Sequence, residues 1–188
     1  MPYEPLPDLY GLSLTQIAEL AAIRKLPPVD SWHPEITGDS EMRIAQDGRW
    51  FHQGGEITRP AMIRAFSSLL QCDDDGQHWL VTPQERLSIV VDDAPLQAVG
   101  MHVVDQDAQH GIAFKLNSDD AVIADSDHPI IMRITDGELR PYVLARGRLW
   151  ARLSRAVYYE LAEIALINDP DAPFVTSMGA KFSLQDAA

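Results

Sequence analysis

The sequence is poor in cysteine, in basic residues and in long apolar runs. Cys72 is the one cysteine among 188 residues. This excludes an intrachain disulfide and a metal site built on several cysteines, and it fits a reducing compartment. The apolar segments are too short to span a bilayer, and the N-terminus lacks the pattern of a signal peptide. We therefore expect a soluble, cytoplasmic protein.

The shortage of basic residues restricts the kind of partner that the protein can bind. Lysine and arginine together number 15 against 28 acidic residues, which gives a net charge of −13. Nucleic acid and anionic membrane surfaces both require a basic face, so neither is predicted as a partner. The charge itself is most simply explained by solubility.

Motifs of established chemistry are missing as well. None of the 6 histidines belongs to an HxH or HExxH pattern. Gly54-Gly55 departs from the dinucleotide-binding and Walker patterns, and the run from Asp73 to Gly76 lacks the glycine and glutamate positions of a calcium loop. We predict no catalytic residue, no metal and no cofactor.

What the sequence does contain is a repeat of local signals. Met-Arg-Ile followed by Asp-Gly occurs from Met42 to Gly48 and again from Met132 to Gly137. Each copy predicts a strand, a two-residue hairpin turn and a return strand. An amphipathic helix follows each copy, with Thr58 and Ser154 as the predicted N-caps, and the two apolar helix faces lie 95 residues apart. Order, residue type and periodicity favour an internal duplication over chance similarity.

The remaining segments complete the predicted fold. Residues 1–30 read as a proline-rich arm and a helix that begins with a capping box at Ser13 and Gln16. The stretch from Asp92 to Ile131 alternates like a meander of short antiparallel strands. We predict an α+β protein of two related domains, 31–92 and 93–188, each an antiparallel sheet packed with a helix.

Several blocks of the sequence resemble a bacterial family of unknown function, DUF1285. They are WHPEITGDSEMRIAQDGRWFHQGGEITRPAMIRAFSSLL, WLVTPQERLSIVVDDAP and DSDHP, and the resemblance extends from about Trp32 to the end of the chain. It implies a duplicated two-domain core whose C-terminal half is superficially similar to a pleckstrin-homology fold. It also implies a site between the domains for a nucleotide-like ligand, and a role in signal transduction. Leu96 departs from the family pattern, in which we expect an aromatic residue after Ala-Pro.

Two arginines at helix starts are the first candidates for such a site. Arg59 and Arg155 each follow a predicted N-cap residue, where a cation opposes the helix dipole at a cost of some tenths of a kcal/mol. One interpretation pairs them with carboxylates of their own units, Asp47 and Asp136. In the other, the two arginines face each other across a pseudo-two-fold interface and bind an anion together.

Three further residues complete the set of ligand-binding candidates. Arg43 belongs to the first Met-Arg-Ile copy, and His33 and His128 each precede a proline in a predicted turn. The histidines either satisfy nearby backbone groups or line a cleft. Trp50, Trp79 and Trp150 lie in predicted strands and are expected in the core rather than in a stacking platform.

The leading hypothesis is a non-enzymatic regulatory module that binds a small anionic, nucleotide-like ligand between its domains. A hydrolase or transferase acting on a nucleotide-like substrate is the first alternative. It requires a histidine within hydrogen-bond reach of a carboxylate in the arginine-lined cleft. An adaptor that binds a protein partner is the second, and it requires an exposed apolar patch without a deep cleft.

Overall fold

The computed structural model describes residues 9, 12–23, 26–106 and 109–185. The N-terminal helix α1 (Leu14–Ile23) begins with the predicted capping box. The Ser13 amide donates to Gln16 Oε1 at 2.8 Å and the Gln16 amide donates to Ser13 Oγ at 3.2 Å. Two orphan amide groups are thereby satisfied reciprocally, which fixes the start of the helix.

The first domain is a six-stranded sheet with one helix. Its strands are β1 (Ile36–Ile44), β2 (Trp50–His52), β3 (Gly55–Ile57), β4 (Leu70–Cys72), β5 (His78–Val81) and β6 (Glu85–Val91), and helix α2 (Pro60–Ser68) joins β3 to β4. The strand order is β3-β2-β1-β6-β5-β4. All neighbours are antiparallel except the central pair β1 and β6, which is parallel.

The second domain repeats this design. Its strands are β7 (Leu96–Gln106), β8 (Gln109–Leu116), β9 (Ala121–Ile123), β10 (Ile130–Thr135), β11 (Glu138–Arg146) and β12 (Leu149–Leu153). The strand order is β10-β11-β12-β7-β8-β9, again with one parallel pair, β12 and β7, at the centre. Helix α3 (Arg155–Asn168) and the hairpin β13 (Phe174–Ser177) and β14 (Ala180–Ser183) follow.

Both sheets consist of two three-stranded meanders joined through their first and last strands. This shared strand order confirms the predicted α+β fold with two related domains. The parallel central pair was not part of the prediction, because it joins strands far apart in the chain. The predicted register of the repeat is wrong: Met42 lies in the central strand β1, whereas Met132 lies in the edge strand β10. By sheet position, β1 corresponds to β7.

Local signals at the helix starts and turns were largely correct. Ser154 caps α3, accepting from the Val157 amide at 3.4 Å. The Asp-Gly turns form, with φ of +83° at Gly48 and +78° at Gly137, values that glycine adopts without strain. The cap of α2 is Arg59 instead of Thr58, with Pro60 in the first turn.

The stretch from Ile36 to Glu41 forms the start of β1. Its residues are mostly exposed and polar, so the alternation that marks a half-buried strand is missing. Parallel pairing with β6 supplies the backbone hydrogen bonds, and a bulge between Asp39 and Met42 carries Glu41 at φ +54°.

A continuous hydrophobic core connects the two domains. Trp50 from the first domain and Phe114 and Leu161 from the second are fully buried in the same cluster. A smaller cluster joins Leu14 and Ile17 of α1 to the second sheet. None of the helices in the described part of the chain is long and apolar enough to cross a membrane.

Candidate functional site

A cleft of about 420 Å³ lies between the two domains. One wall is the turn that joins β4 to β5, with Asp73, Asp74 and Gly76, followed by His78. The other wall comes from the second sheet and from the turn between β11 and β12. Its residues are Asp93, Pro95, Arg133, Leu144, Gly147, Arg148 and Trp150.

Strand register explains why these side chains share one face of the second sheet. Tyr142 on β11 lies opposite Ile131 on β10 and opposite Arg152 on β12. Because side chains alternate along a strand, the residues two positions away, Arg133 and Trp150, point to the same face. The sheet therefore brings an arginine and a tryptophan together from strands that are not neighbours.

The three aspartates that line the cleft each have an arginine partner. Asp73 accepts from Arg86 at 2.7 Å and Asp74 from Arg148 at 2.5 Å. Asp93 accepts from Arg152 at 3.0 Å. The carboxylates of the cleft are thus neutralised by the protein itself.

Arg133 is the arginine of the cleft that has no anionic partner among the described residues. Its guanidinium lies 4.3 Å from the ring centroid of Trp150 and 5.3 Å from that of Tyr142. Among the described residues, no carboxylate or hydrogen-bond acceptor contacts the guanidinium. Partial burial lowers the pKa of Arg133, and the neighbouring Tyr142 side chain and the charge of Asp93 oppose this shift. An arginine remains protonated at neutral pH even so, and Arg133 lines the cleft.

Two consecutive aspartates hold the junction between the sheets. Asp92 accepts two hydrogen bonds from Arg43 of the first domain, at 2.9 and 2.5 Å. Hydrogen bonding to Arg43 holds the pKa of Asp92 below its usual range. Asp93 belongs to the second domain's network: it is buried and accepts from the Tyr142 hydroxyl at 2.6 Å.

Two other titratable groups in the cleft carry little charge at neutral pH. Burial lowers the pKa of His78, partly opposed by the charge of Asp73. Burial and the neighbouring Asp73 raise the pKa of the Cys72 thiol. A neutral imidazole and a protonated thiol leave the local charge to the arginine and aspartate pairs. Within the described part of the chain, no group of three or more His, Cys, Asp or Glu side chains could hold a metal ion.

The structure does not bring the sequence-predicted candidates into one site. Arg43 is bound to Asp92, and His128 is paired with Asp125 through Nδ1 at 3.1 Å. His33 is exposed and lines a separate shallow cleft near Asp73. Their roles in ligand binding stay predictions.

The two helix-start arginines also lie apart from the cleft. Both are exposed, and Arg155 lines a separate depression of about 330 Å³ with Arg140, Arg152 and Gln46, to which Arg59 does not contribute. The predicted pairs within each unit are wrong. Asp47 binds Arg49 at 2.7 Å, and Asp136 accepts from Gln46 at 2.7 Å. Asp47 is held by a residue two positions away, whereas the partner of Asp136 comes from the first domain.

Sequence reasoning missed Arg133 and assigned Trp150 to the core. The signal for Arg133 was present, because it is the arginine of the second Met-Arg-Ile copy, just as Arg43 is that of the first. The expectation for tryptophan holds for Trp50, which is fully buried. Trp79 and Trp150 are half-buried, and each is covered by an arginine, Arg86 at 3.8 Å and Arg133 at 4.3 Å.

The fold and the cleft define a duplicated α+β protein with a candidate ligand site between its domains. Two family models cover most of the chain. "Domain of unknown function (DUF1285), N-terminal domain" matches residues 27–94, and "Protein of unknown function (DUF1285), C-terminal domain" matches residues 95–184. The chain belongs to the DUF1285 family.

A solved structure agrees with this assignment. A DUF1285 family protein from Silicibacter pomeroyi DSS-3 is 38% identical, with 91% of this chain and 93% of that chain covered and a TM-score of 0.78. A second, from Shewanella baltica OS155, is 26% identical over 65% of this chain and 90% of that chain, with a TM-score of 0.49. No curated protein matches the chain significantly.

Proposed function

We propose that the chain is a binding module that holds a small anionic ligand in the cleft between its domains. The observation that carries the proposal is Arg133, a half-buried cation whose donors meet no acceptor among the described residues. A partly desolvated charge without a partner is unfavourable, and an anion in the cleft would relieve that cost. The aspartates that line the cleft support the same conclusion, because each is already paired with an arginine and therefore repels an anion less than a free carboxylate would.

A nucleotide-like ligand is the finer form of this proposal, and it rests mainly on the family resemblance. The stacked pair of Trp150 and Arg133 supports it, since arginine planes and aromatic rings are surfaces on which bases stack. A role in signal transduction rests on the resemblance alone. It would require that ligand binding changes the relative position of the domains.

The first experiment is a thermal-shift screen with nucleotides, cyclic dinucleotides and inorganic phosphate. A ligand at one hundred times its dissociation constant stabilises the fold by about 2.7 kcal/mol, which is a Tm shift of roughly 5–11 °C for a protein of this size. We expect Arg133→Gln to abolish the shift. Arg59→Gln and Arg155→Gln are the matched variants, because they remove exposed arginines outside the cleft.

The three variants separate the two candidate sites. Loss of the shift in Arg155→Gln or Arg59→Gln, with Arg133→Gln unaffected, would favour the helix starts predicted from the sequence and contradict the cleft. A panel without any stabilising anion would contradict the proposal as a whole.

The hydrolase or transferase alternative receives no support from the described geometry. It requires a histidine bonded to a carboxylate in the arginine-lined cleft. His78 lines the cleft without such a bond in the described part of the chain, and the His128–Asp125 pair does not line it.

A protein partner stays a prediction as well. The outer face of α3 exposes Tyr159, Leu166 and Ile167, positions that share one side of a helix. This apolar stripe is the feature of the described surface nearest to what an adaptor requires.

A further inference from the structure

We propose that the cleft selects a dianionic head group, such as a phosphomonoester, over a monoanionic carboxylate, and that Arg148 releases Asp74 in order to bind it. This inference rests on the proposed function, because it names the ligand class of the same cleft. Its basis is the ion pair between Arg148 Nη2 and Asp74 Oδ1, at 2.5 Å, which joins the two walls of the cleft.

The pair joins two turns from different domains. Asp74 belongs to the turn between β4 and β5, and Arg148 follows Gly147 in the turn between β11 and β12. Both side chains are largely exposed, at 58% for Arg148 and 89% for Asp74. Exposed pairs of this kind contribute at most about 1 kcal/mol. Water can therefore take over the Asp74 carboxylate at little cost when Arg148 leaves it.

Arg148, Arg133 and Asp74 line the same cleft, and we infer that an anion on Arg133 competes with Asp74 for Arg148. With the pair intact, the cleft offers one uncompensated positive charge, that of Arg133. When Asp74 is released to water, Arg148 supplies a second one. A dianion gains from both arginines, whereas a monoanion satisfied by Arg133 gains less from breaking the pair.

The opening that we infer is local. Arg146, on the other side of Gly147, donates from Nη2 to the backbone carbonyl of Ser67 in the first domain at 2.5 Å, and its Nη1 lies 3.4 Å from Asp120. These contacts do not involve Asp74. The turn between β11 and β12 therefore stays attached to the first domain while the Arg148 side chain changes partner.

The experiment is isothermal titration calorimetry at pH 8 and low, constant ionic strength with two probes, phenyl phosphate and benzoate. They share a ring and differ in head group, and a phosphomonoester is a dianion at this pH, since its second pKa is about 6. The proteins are the full chain and its variants Arg133→Gln, Arg148→Gln, Asp74→Asn and Asp74→Asn/Arg148→Gln. Because Arg148 and Asp74 are exposed, we expect their variants to fold, and thermal melts check this.

We expect the full chain to bind phenyl phosphate at least about tenfold more tightly than benzoate, the range of one hydrogen-bonded charge contact. Asp74→Asn should tighten phenyl phosphate binding about three- to fivefold, the equivalent of an exposed ion pair. Arg148→Gln should bring the two probes close to parity, and the effect of Asp74→Asn should shrink in that background.

Failure of this inference differs from failure of the proposed function. If Arg133→Gln weakens both probes while Arg148→Gln keeps the preference, or Asp74→Asn leaves phenyl phosphate binding unchanged, the cleft is a simple monoanion site and the exchange is refuted. If neither probe binds the full chain, or Arg133→Gln binds both as well as the full chain does, the cleft itself is refuted as the anion site.

Discussion

Replacing Tyr142 with phenylalanine tests the polar network that holds the second sheet to the domain junction. The Tyr142 side chain is buried, with 1% of its surface exposed. Its hydroxyl donates to Asp93 Oδ1 at 2.6 Å and lies 3.0 Å from Thr135 Oγ1. Phenylalanine fills the same volume, so the substitution removes these hydrogen bonds without a large cavity.

The expected loss follows from the charge on the acceptor. A hydrogen bond to a charged group contributes roughly 1.5–3 kcal/mol, and its removal here leaves a buried carboxylate oxygen without that donor. We therefore expect the free energy of unfolding to fall by about 1.5–3 kcal/mol, with a Tm lower by roughly 3–12 °C. Urea unfolding at neutral pH measures the change, and the m-value should stay the same.

The matched control is Tyr159→Phe, which removes the same oxygen from an exposed side chain. It should change stability by less than about 0.5 kcal/mol. An alkaline titration gives a second readout. Burial and the bond to Asp93 raise the pKa of Tyr142, so its contribution is present below the ordinary tyrosine pKa and is lost as pH rises through the folded value. A Tyr142→Phe variant as stable as Tyr159→Phe, with an unchanged alkaline profile, would refute the reasoning.

Three further substitutions test other parts of the structure. Ser177→Ala should lower the free energy of unfolding, measured in urea, by about 1–3 kcal/mol. The reason is that the buried Ser177 Oγ accepts from one backbone amide at 2.8 Å and donates to a carbonyl at 2.5 Å. An unchanged stability would mean that water replaces the hydroxyl. Burial lowers the pKa of His78, so stability should be lost as pH falls below about 6.5. In thermal melts, His78→Gln should reduce the loss of stability at low pH, whereas the exposed His52→Gln should not. Equal pH dependence of Tm in the two variants would contradict the role assigned to the burial of His78. Gly111→Ala places a Cβ 2.7 Å from a leucine of α1, whereas Gly100→Ala meets only an ordinary contact at 3.6 Å. We expect Gly111→Ala, but not Gly100→Ala, to lose about 1–3 kcal/mol of stability and to show faster proteolysis of α1. Equal stability and equal proteolysis of the two variants would show that α1 adapts to the added methyl group.

The features that the sequence predicted well are those set by near neighbours in the chain. The capping box of α1, the Asp-Gly turns and the cap at Ser154 each depend on residues within a few positions, so the local pattern contains the cause. The central parallel pairs are different. β1 and β6 are the first and last strands of the first domain, and the polar residues from Ile36 to Glu41 give no alternation to indicate their pairing.

Charge pairing limited the prediction of the site in a similar way. Residue types made arginines the candidate binding groups but did not indicate which of them lack a partner among the described residues. Asp47 was predicted to bind Arg59, yet Arg49 is two residues away in the same turn and binds it instead. Asp93, whose charge acts on Arg133, is held by Arg152 and Tyr142, which lie opposite each other on neighbouring strands far along the chain from Asp93.

The junction between the domains explains why the positive charge of Arg133 has no anionic partner among the described residues. The two adjacent aspartates there point into different networks: Asp92 binds Arg43 of the first sheet, and Asp93 binds Tyr142 and Arg152 of the second. Each Met-Arg-Ile copy brings one arginine near this junction, but the second finds its nearest carboxylate occupied. If Arg133 had a purely structural role, we would expect a free carboxylate beside its guanidinium. The sheet instead places the face of Trp150 beside the guanidinium, and the proposed anion site rests on this arrangement.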